Sequence, residues 1–190
     1  MLTPDLIRSA FGAGLAFDRY LETGTADQRS RFGSVYAKAA LTPSQRALVG
    51  AFTRRMPVLV ISGMWCGDCV QQVPILARIA EANSKAIDLR IVDRDEHMDL
   101  AERVKICGGL RVPTVIWAAE DFEFVHLLGD RPLSRYRSMA AKYLGPACPV
   151  PGAELEADES VAVTQDWVNE FERVHLMLRL SPRLRELHGD

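Results

Sequence analysis

Cys66 and Cys69, in the stretch "WCGDC" at 65–69, are the residues in this chain whose types and spacing could do chemistry most directly. Such a pair could hold a metal, staple the chain or exchange electrons. At i and i+3 on a helix the two thiols share a face and lie within disulfide reach after small adjustment. Cys66 stands where an apolar run hands over to a helix, and there the unpaired N–H groups and the positive end of the helix dipole stabilise a thiolate. Cys66 is therefore the expected nucleophile. Cys69, one turn further in, is the expected resolving thiol, which attacks a mixed disulfide and releases the reduced substrate. A zinc site needs about four ligands, whereas Cys107, Cys148 and the four histidines (His97, His126, His175, His188) form no second pair. A purely structural disulfide closing so short a loop would constrain the unfolded chain only weakly. Dithiol–disulfide exchange is the favoured reading.

The elements that must position this pair follow from the hydrophobic pattern. "PVLVISG" (57–63) is a short β-branched apolar run closed by glycine, as expected of a strand buried on both faces. "CVQQVPILARIAEAN" continues as a helix kinked at Pro74. A strand at 86–93 follows, then a charged helix through "HMDLAERVK" and a loop with Cys107-Gly108-Gly109. Strands at 112–118 and 122–128 are joined by the polar turn Glu120-Asp121, and a helix runs from Asp130-Arg131-Pro132 to near Gly145. That order predicts an α/β sandwich with a mixed sheet. Before it, Thr3-Pro4-Asp5, Thr25 with Gln28, and Thr42-Pro43 with Gln45 mark three short helices with no chemistry of their own. Residues 146 to about 160 read as a Pro/Gly/acidic linker. Beyond it Trp167, Val168, Phe171, Val174 and Leu178 form one helical face, read as packing on the chain's own core, with His175 as a structural histidine.

Composition bounds the function. A chain of 190 residues with 48% hydrophobic and 25% charged residues is that of one ordinary globular unit. A formal net charge of -2 and scattered basic residues give no nucleic-acid footprint. The N-terminus lacks a basic leader with an apolar run, and charges interrupt every candidate membrane span, so a cytoplasmic location and no membrane partner are expected. In a reducing compartment a close cysteine pair is catalytic or metal-binding rather than structural.

"WCGDC" after a buried strand, Pro74 in the following helix and the distant "RVPT" (111–114) together resemble the thioredoxin-like superfamily over roughly 57–145. The longer phrase "WCGDCVQQVPILARIAEA", with the helical N-terminus, is similar to a bacterial branch of it. The resemblance implies a thioredoxin-like three-layer sandwich, with an N-terminal helical extension (1–55), the thioredoxin-like domain (56–145), and a linker and extra C-terminal helix (146–190) packing on the same unit. It also implies that Trp65 flanks the nucleophile, that Gly67 and Asp68 are active-site neighbours, and that Pro113 is a cis-proline beside the dithiol. Val112 and Thr114, with Arg111 nearby, become candidates for contact with an extended substrate segment. No bound cofactor and no metal are implied; the partners are protein disulfide clients and an unidentified thiol or reductase donor.

Two departures from that family pattern bear on mechanism. Thioredoxins carry Gly-Pro between the cysteines, whereas Asp68 here could oppose a thiolate on Cys66, or could simply suit the first turn of a helix. If it opposes the thiolate, the expected potential is near thioredoxin's, about -270 mV, rather than a strongly oxidising value of about -120 mV. Val60 stands where thioredoxins bury an aspartate that helps move the resolving thiol's proton, so that proton needs water or another group. Arg111 could lower the pKa of Cys66 or be a solvated loop arginine. Cys107 is read as a small buried residue ahead of a regulatory thiol, and Cys148 as an inert linker residue ahead of an intermolecular one.

The sequence thus points to a thioredoxin-like thiol–disulfide oxidoreductase. A non-catalytic thioredoxin-fold binding or adaptor module is the alternative, which the Val60 departure supports. A peroxidase is disfavoured because no threonine stands before a peroxidatic cysteine in the way that family requires.

Overall fold

A computed structural model describes residues 1–144 and 158–189. The expected linker lies mostly outside the described residues, and Cys148 and Gly145 lie wholly outside them. The apolar run forms β1 (Met56–Ser62), every residue of it buried. It pairs in parallel with β2 (Ile87–Asp93) and antiparallel with β3 (Thr114–Ala118), which in turn pairs antiparallel with β4 (Phe124–Gly129). The sheet is mixed, in the order β2-β1-β3-β4, with helices on both sides. β3 begins two residues later than the pattern suggests, because Val112 and Pro113 precede the ladder.

The N-terminal region holds four helices where the sequence suggests three: α1 (Pro4–Ala13), α2 (Phe17–Glu22), α3 (Ala26–Lys38) and α4 (Pro43–Gly50). α1, α3 and α4 start at Thr3, Thr25 and Thr42, and Gln28 and Gln45 close both capping boxes. α2 starts at Ala16 with no side-chain cap, so nothing local announces it. Tertiary contact holds it instead. Leu15, just ahead of it, exchanges backbone hydrogen bonds of 2.8 Å with Ile91 at the edge of β2, and buried Tyr20 meets Phe32 edge-on.

α5 (Gly67–Ala82) follows β1 through a tight turn, in which the Cys66 amide donates to the Gly63 carbonyl at 3.0 Å. It runs on through Pro74, which sits inside the helix without a donor for the turn before it. The expected charged helix is shorter than its pattern: α6 (Met98–Ala101) and one 3₁₀ turn (Glu102–Val104). After β4 come α7 (Leu133–Tyr143), α8 (Glu159–Leu180) and a separate α9 (Pro182–His188), where Pro182 ends one helix and Ser181 caps the next.

Trp167, Val168, Phe171, Val174 and Leu178 of α8 are fully buried in the same hydrophobic core as the sheet. Trp117 of β3 packs on Trp167 and edge-on to Phe171 at centroid distances of 6.2 and 5.5 Å. His175 stacks on Phe52, and its Nε2 accepts the Thr53 amide at 3.1 Å, which is the structural role expected of it.

Candidate active site

Cys66 is the N-cap of α5, and its sulfur accepts the Cys69 amide at 3.3 Å. The side chain that caps the helix is thus the one that carries the charge, and helix and thiolate stabilise each other. As a thiol, the same sulfur donates to the Val112 carbonyl at 3.4 Å. The Val112–Pro113 peptide is cis, so the expected proline stands in its expected form next to the dithiol. Both cysteines are free thiols here. The hydrogen bond from the Cys69 thiol, with the amides of Cys69 and Asp68, outweighs burial and brings the Cys66 pKa down to about 6. Burial and the Cys66 charge push the Cys69 thiol well above its ordinary value. One sulfur is held toward its thiolate form, and the other as a buried thiol.

Asp68 does not meet Cys66 as a lone carboxylate. Arg131 reaches it with Nε at 3.0 Å and Nη2 at 2.5 Å, and Arg135 with Nε at 3.3 Å. Its charge still opposes the thiolate through space, but the helix-end amides and Cys69 prevail. Arg111 is not simply a solvated loop arginine. It pairs with the buried Asp130 at 3.1 Å, and Arg131 bridges Asp130 and Asp68. Burial works against charge on Asp130, yet hydrogen bonds from Tyr136 and Arg111 hold its carboxyl below the usual range. Buried Gln72 of α5 ties this loop to the site by donating to the Asp130 carbonyl at 3.0 Å. Asp130, Arg131 and Arg135 are visible in the sequence only as the start of a helix.

Thr114 is fully buried, and its hydroxyl donates to the Arg111 carbonyl at 2.8 Å. Its side chain braces the loop from within. Trp65 is half exposed, with the Arg94 guanidinium 4.5 Å from its ring centroid. A Cβ at Gly63 would come within 2.7 Å of that ring, so only glycine lets the indole lie against the turn. Gly67 has open space around it. Cys107 is exposed rather than buried, at φ 49° in a turn completed by Gly108 at φ 74°. The pair of left-handed residues makes the tip of a tight turn, which leaves the thiol exposed.

Beneath the dithiol lies a group that no local sequence pattern marks. The Tyr20 hydroxyl of α2 donates to Ser62 Oγ at 2.9 Å, both residues being fully buried. Cys69 is fully buried at the same end of β1, in the first turn of α5, and the Ser62 hydroxyl nearby works against the burial that raises its thiol. Val60 is fully buried in β1, with no charge to offer.

A family model described as thioredoxin matches residues 14–143 of the 190. The chain belongs to the thioredoxin family. The matched region begins ahead of α2, so the helices α2 to α4 lie within the family's match rather than outside it. Among solved structures, a protein of unknown function from Pseudomonas aeruginosa is similar at 18% identity and TM-score 0.68, covering 88% of this chain and 95% of that one. An HIV epitope-scaffold is similar at 19% identity and TM-score 0.59, covering 96% and 98%. The germline-specific thioredoxin Deadhead from Drosophila melanogaster aligns at 20% identity and TM-score 0.37, over 53% of this chain and 90% of that one. The first two share the fold of nearly the whole thioredoxin-family chain described here. Among the described residues, no helix is long and apolar enough to cross a membrane.

Proposed function

We propose that the protein is a thiol–disulfide oxidoreductase that reduces or exchanges disulfides of protein clients through Cys66 and Cys69. The observation that carries this reading is the asymmetry of the pair: a helix-capping Cys66 with its pKa lowered to about 6 beside a Cys69 that is wholly buried and raised. At neutral pH Cys66 is mostly thiolate. It attacks one sulfur of a client disulfide; a Cys66–client bond forms, the client S–S bond breaks, and the second client sulfur leaves as thiolate. Cys69 then gives up its proton and attacks Cys66 Sγ, the mixed disulfide breaks, and the remaining client sulfur leaves. The client gains two electrons and two protons, and the protein holds a Cys66–Cys69 disulfide. A dithiol protein or small thiol must return it to the reduced state.

Client contact falls to groups around the loop. The Val112 backbone faces the reacting sulfur, exposed Arg111 and half-exposed Trp65 flank it, and Thr114 holds the loop in shape. A binding or adaptor module is the second reading, favoured by Val60 standing where a proton-handling carboxylate would be. Cys69→Ser separates the two. For an oxidoreductase, this variant accumulates disulfide-linked adducts on Cys66 that a reductant releases and that Cys66→Ser abolishes. Partner binding that is indifferent to Cys66→Ser, with no adduct, would instead establish the adaptor.

A further inference from the structure

We infer that Ser62, held by Tyr20 of α2, is the group that supports Cys69 when it becomes a thiolate in the resolving step, so that a helix ahead of the sheet completes the active site. The inference rests on the oxidoreductase reading above and adds to it the residues that handle the second thiol.

The strand's alternation sets the geometry. Side chains of β1 point to opposite faces in turn, so Ser62 lies on the same face as Val60, about 7 Å further along. That places a hydroxyl, rather than a carboxylate, on the side of the sheet where α5 brings Cys69. A serine hydroxyl has one hydrogen and two lone pairs. Ser62 Oγ accepts from Tyr20 at 2.9 Å, so its own hydrogen is not used by that bond and is free to turn to the Cys69 sulfur as charge builds there, both residues being fully buried at the junction of β1 and α5. Burial pushes the Tyr20 phenol far above its ordinary value, and the charges of Cys69, Asp93 and Cys66 add to the effect. Tyr20 therefore stays protonated, and the chain runs in one direction: Tyr20 O–H to Ser62, Ser62 O–H to Cys69 Sγ. Asp93, half-buried, is paired with Ser62 in the β1–β2 register, so the nearby carboxylate stands on the neighbouring strand.

In the reduced protein the Cys69 S–H donates to the Cys66 thiolate. Once Cys66 is tied to a client, that acceptor is lost, and Cys69 must shed its proton in an apolar site. Ser62 does not take this proton; it donates its hydrogen bond to the sulfur as charge builds there. The proton ends on the departing client thiolate, directly or through water, which balances the step. In this step Ser62 donates to the reacting Cys69 sulfur and is catalytic, whereas Tyr20 acts through it and is a positioning residue. Here a neutral donor pair does by hydrogen bonding what a buried base would do by accepting a proton.

The test uses the full-length reduced protein carrying Cys107→Ser and Cys148→Ser, so that only the pair reacts, and excess 5,5′-dithiobis(2-nitrobenzoate), whose chromophoric thiolate is released once when Cys66 attacks and again when Cys69 resolves. Ser62→Ala and Tyr20→Phe should leave the first phase unchanged and slow the second by about ten- to a hundredfold. The pH at which the second phase is half-maximal should move upward, because a Cys69 without its donor is harder to ionise. Ser62→Thr, which keeps the hydroxyl, should restore the second phase. A second phase unchanged in both variants would overturn the inference, as would equal slowing of both phases, which would mark a general packing role. An unchanged second phase in Tyr20→Phe alone would remove the role of α2. Absence of the first phase in the unaltered protein would instead defeat the oxidoreductase reading itself.

Discussion

At Cys66 the sign of the pH dependence follows from the pair. Its thiolate is the nucleophile and its pKa is lowered to about 6, so alkylation by iodoacetamide should rise with pH through that value and level off by neutrality. An ordinary thiol would still be gaining reactivity above about pH 8. Asp68 and Arg131 tune the midpoint in opposite directions. Asp68→Asn removes a charge that opposes the thiolate and should move the midpoint down. Arg131→Ala strips Asp68 of its closest partner and should move it up. Thiolate absorbance across a pH titration reads both, and shifts of the same sign would refute this assignment. Cys66, Cys69 and Pro113 could be found in the sequence because each belongs to a short local pattern. The partners of Asp68 could not, since Arg131 and Arg135 lie 63 and 67 positions away. Tyr20 and Ser62 are 42 positions apart, and neither residue type is distinctive alone. The signal available was a serine closing a strand whose other residues are apolar and buried, two positions beyond Val60.

Among the elements, those with chemical punctuation were the ones that could be read. Thr25 with Gln28 and Thr42 with Gln45 located α3 and α4 because a capping box satisfies two amides at once. α2 has no side-chain cap and six residues, so its existence depends on Tyr20 and on the Leu15–Ile91 bridge, which only the folded chain supplies. The helix over 97–105 is shorter than its pattern for a related reason. That pattern is mostly charge, and only Leu100, Ala101 and Val104 find buried places. α8 is the opposite case, because Trp167, Val168, Phe171, Val174 and Leu178 recur at helical spacing within one short stretch and so mark its packing face locally. Phe171 is fully buried against Trp117, so Phe171→Ala should cost about 3–5 kcal/mol in denaturant unfolding of the whole protein. A loss below about 1 kcal/mol would mean that α8 is an appendage rather than part of the core.

For the whole molecule, the mixed sheet and the order of its strands along the chain followed from apolar runs and turns, while the depth of the active site did not. The dithiol sits at the end of β1, with α5 capped by one thiol, the Val112–Pro113 loop across from it, an ion-pair network on one flank and α2 beneath. Asp68, held by Arg131 and Arg135, still opposes the thiolate, but the helix-end amides and Cys69 outweigh it. A lowered Cys66 pKa favours the reduced form over the disulfide. The most direct test of the account is a redox titration of the purified protein in defined thiol–disulfide buffers, with labelling and mass spectrometry to assign each cysteine. We expect one cooperative two-electron transition confined to Cys66 and Cys69, at a potential between about -270 and -120 mV. A pair that stays unreactive across that range, or a transition that requires Cys107, would contradict it.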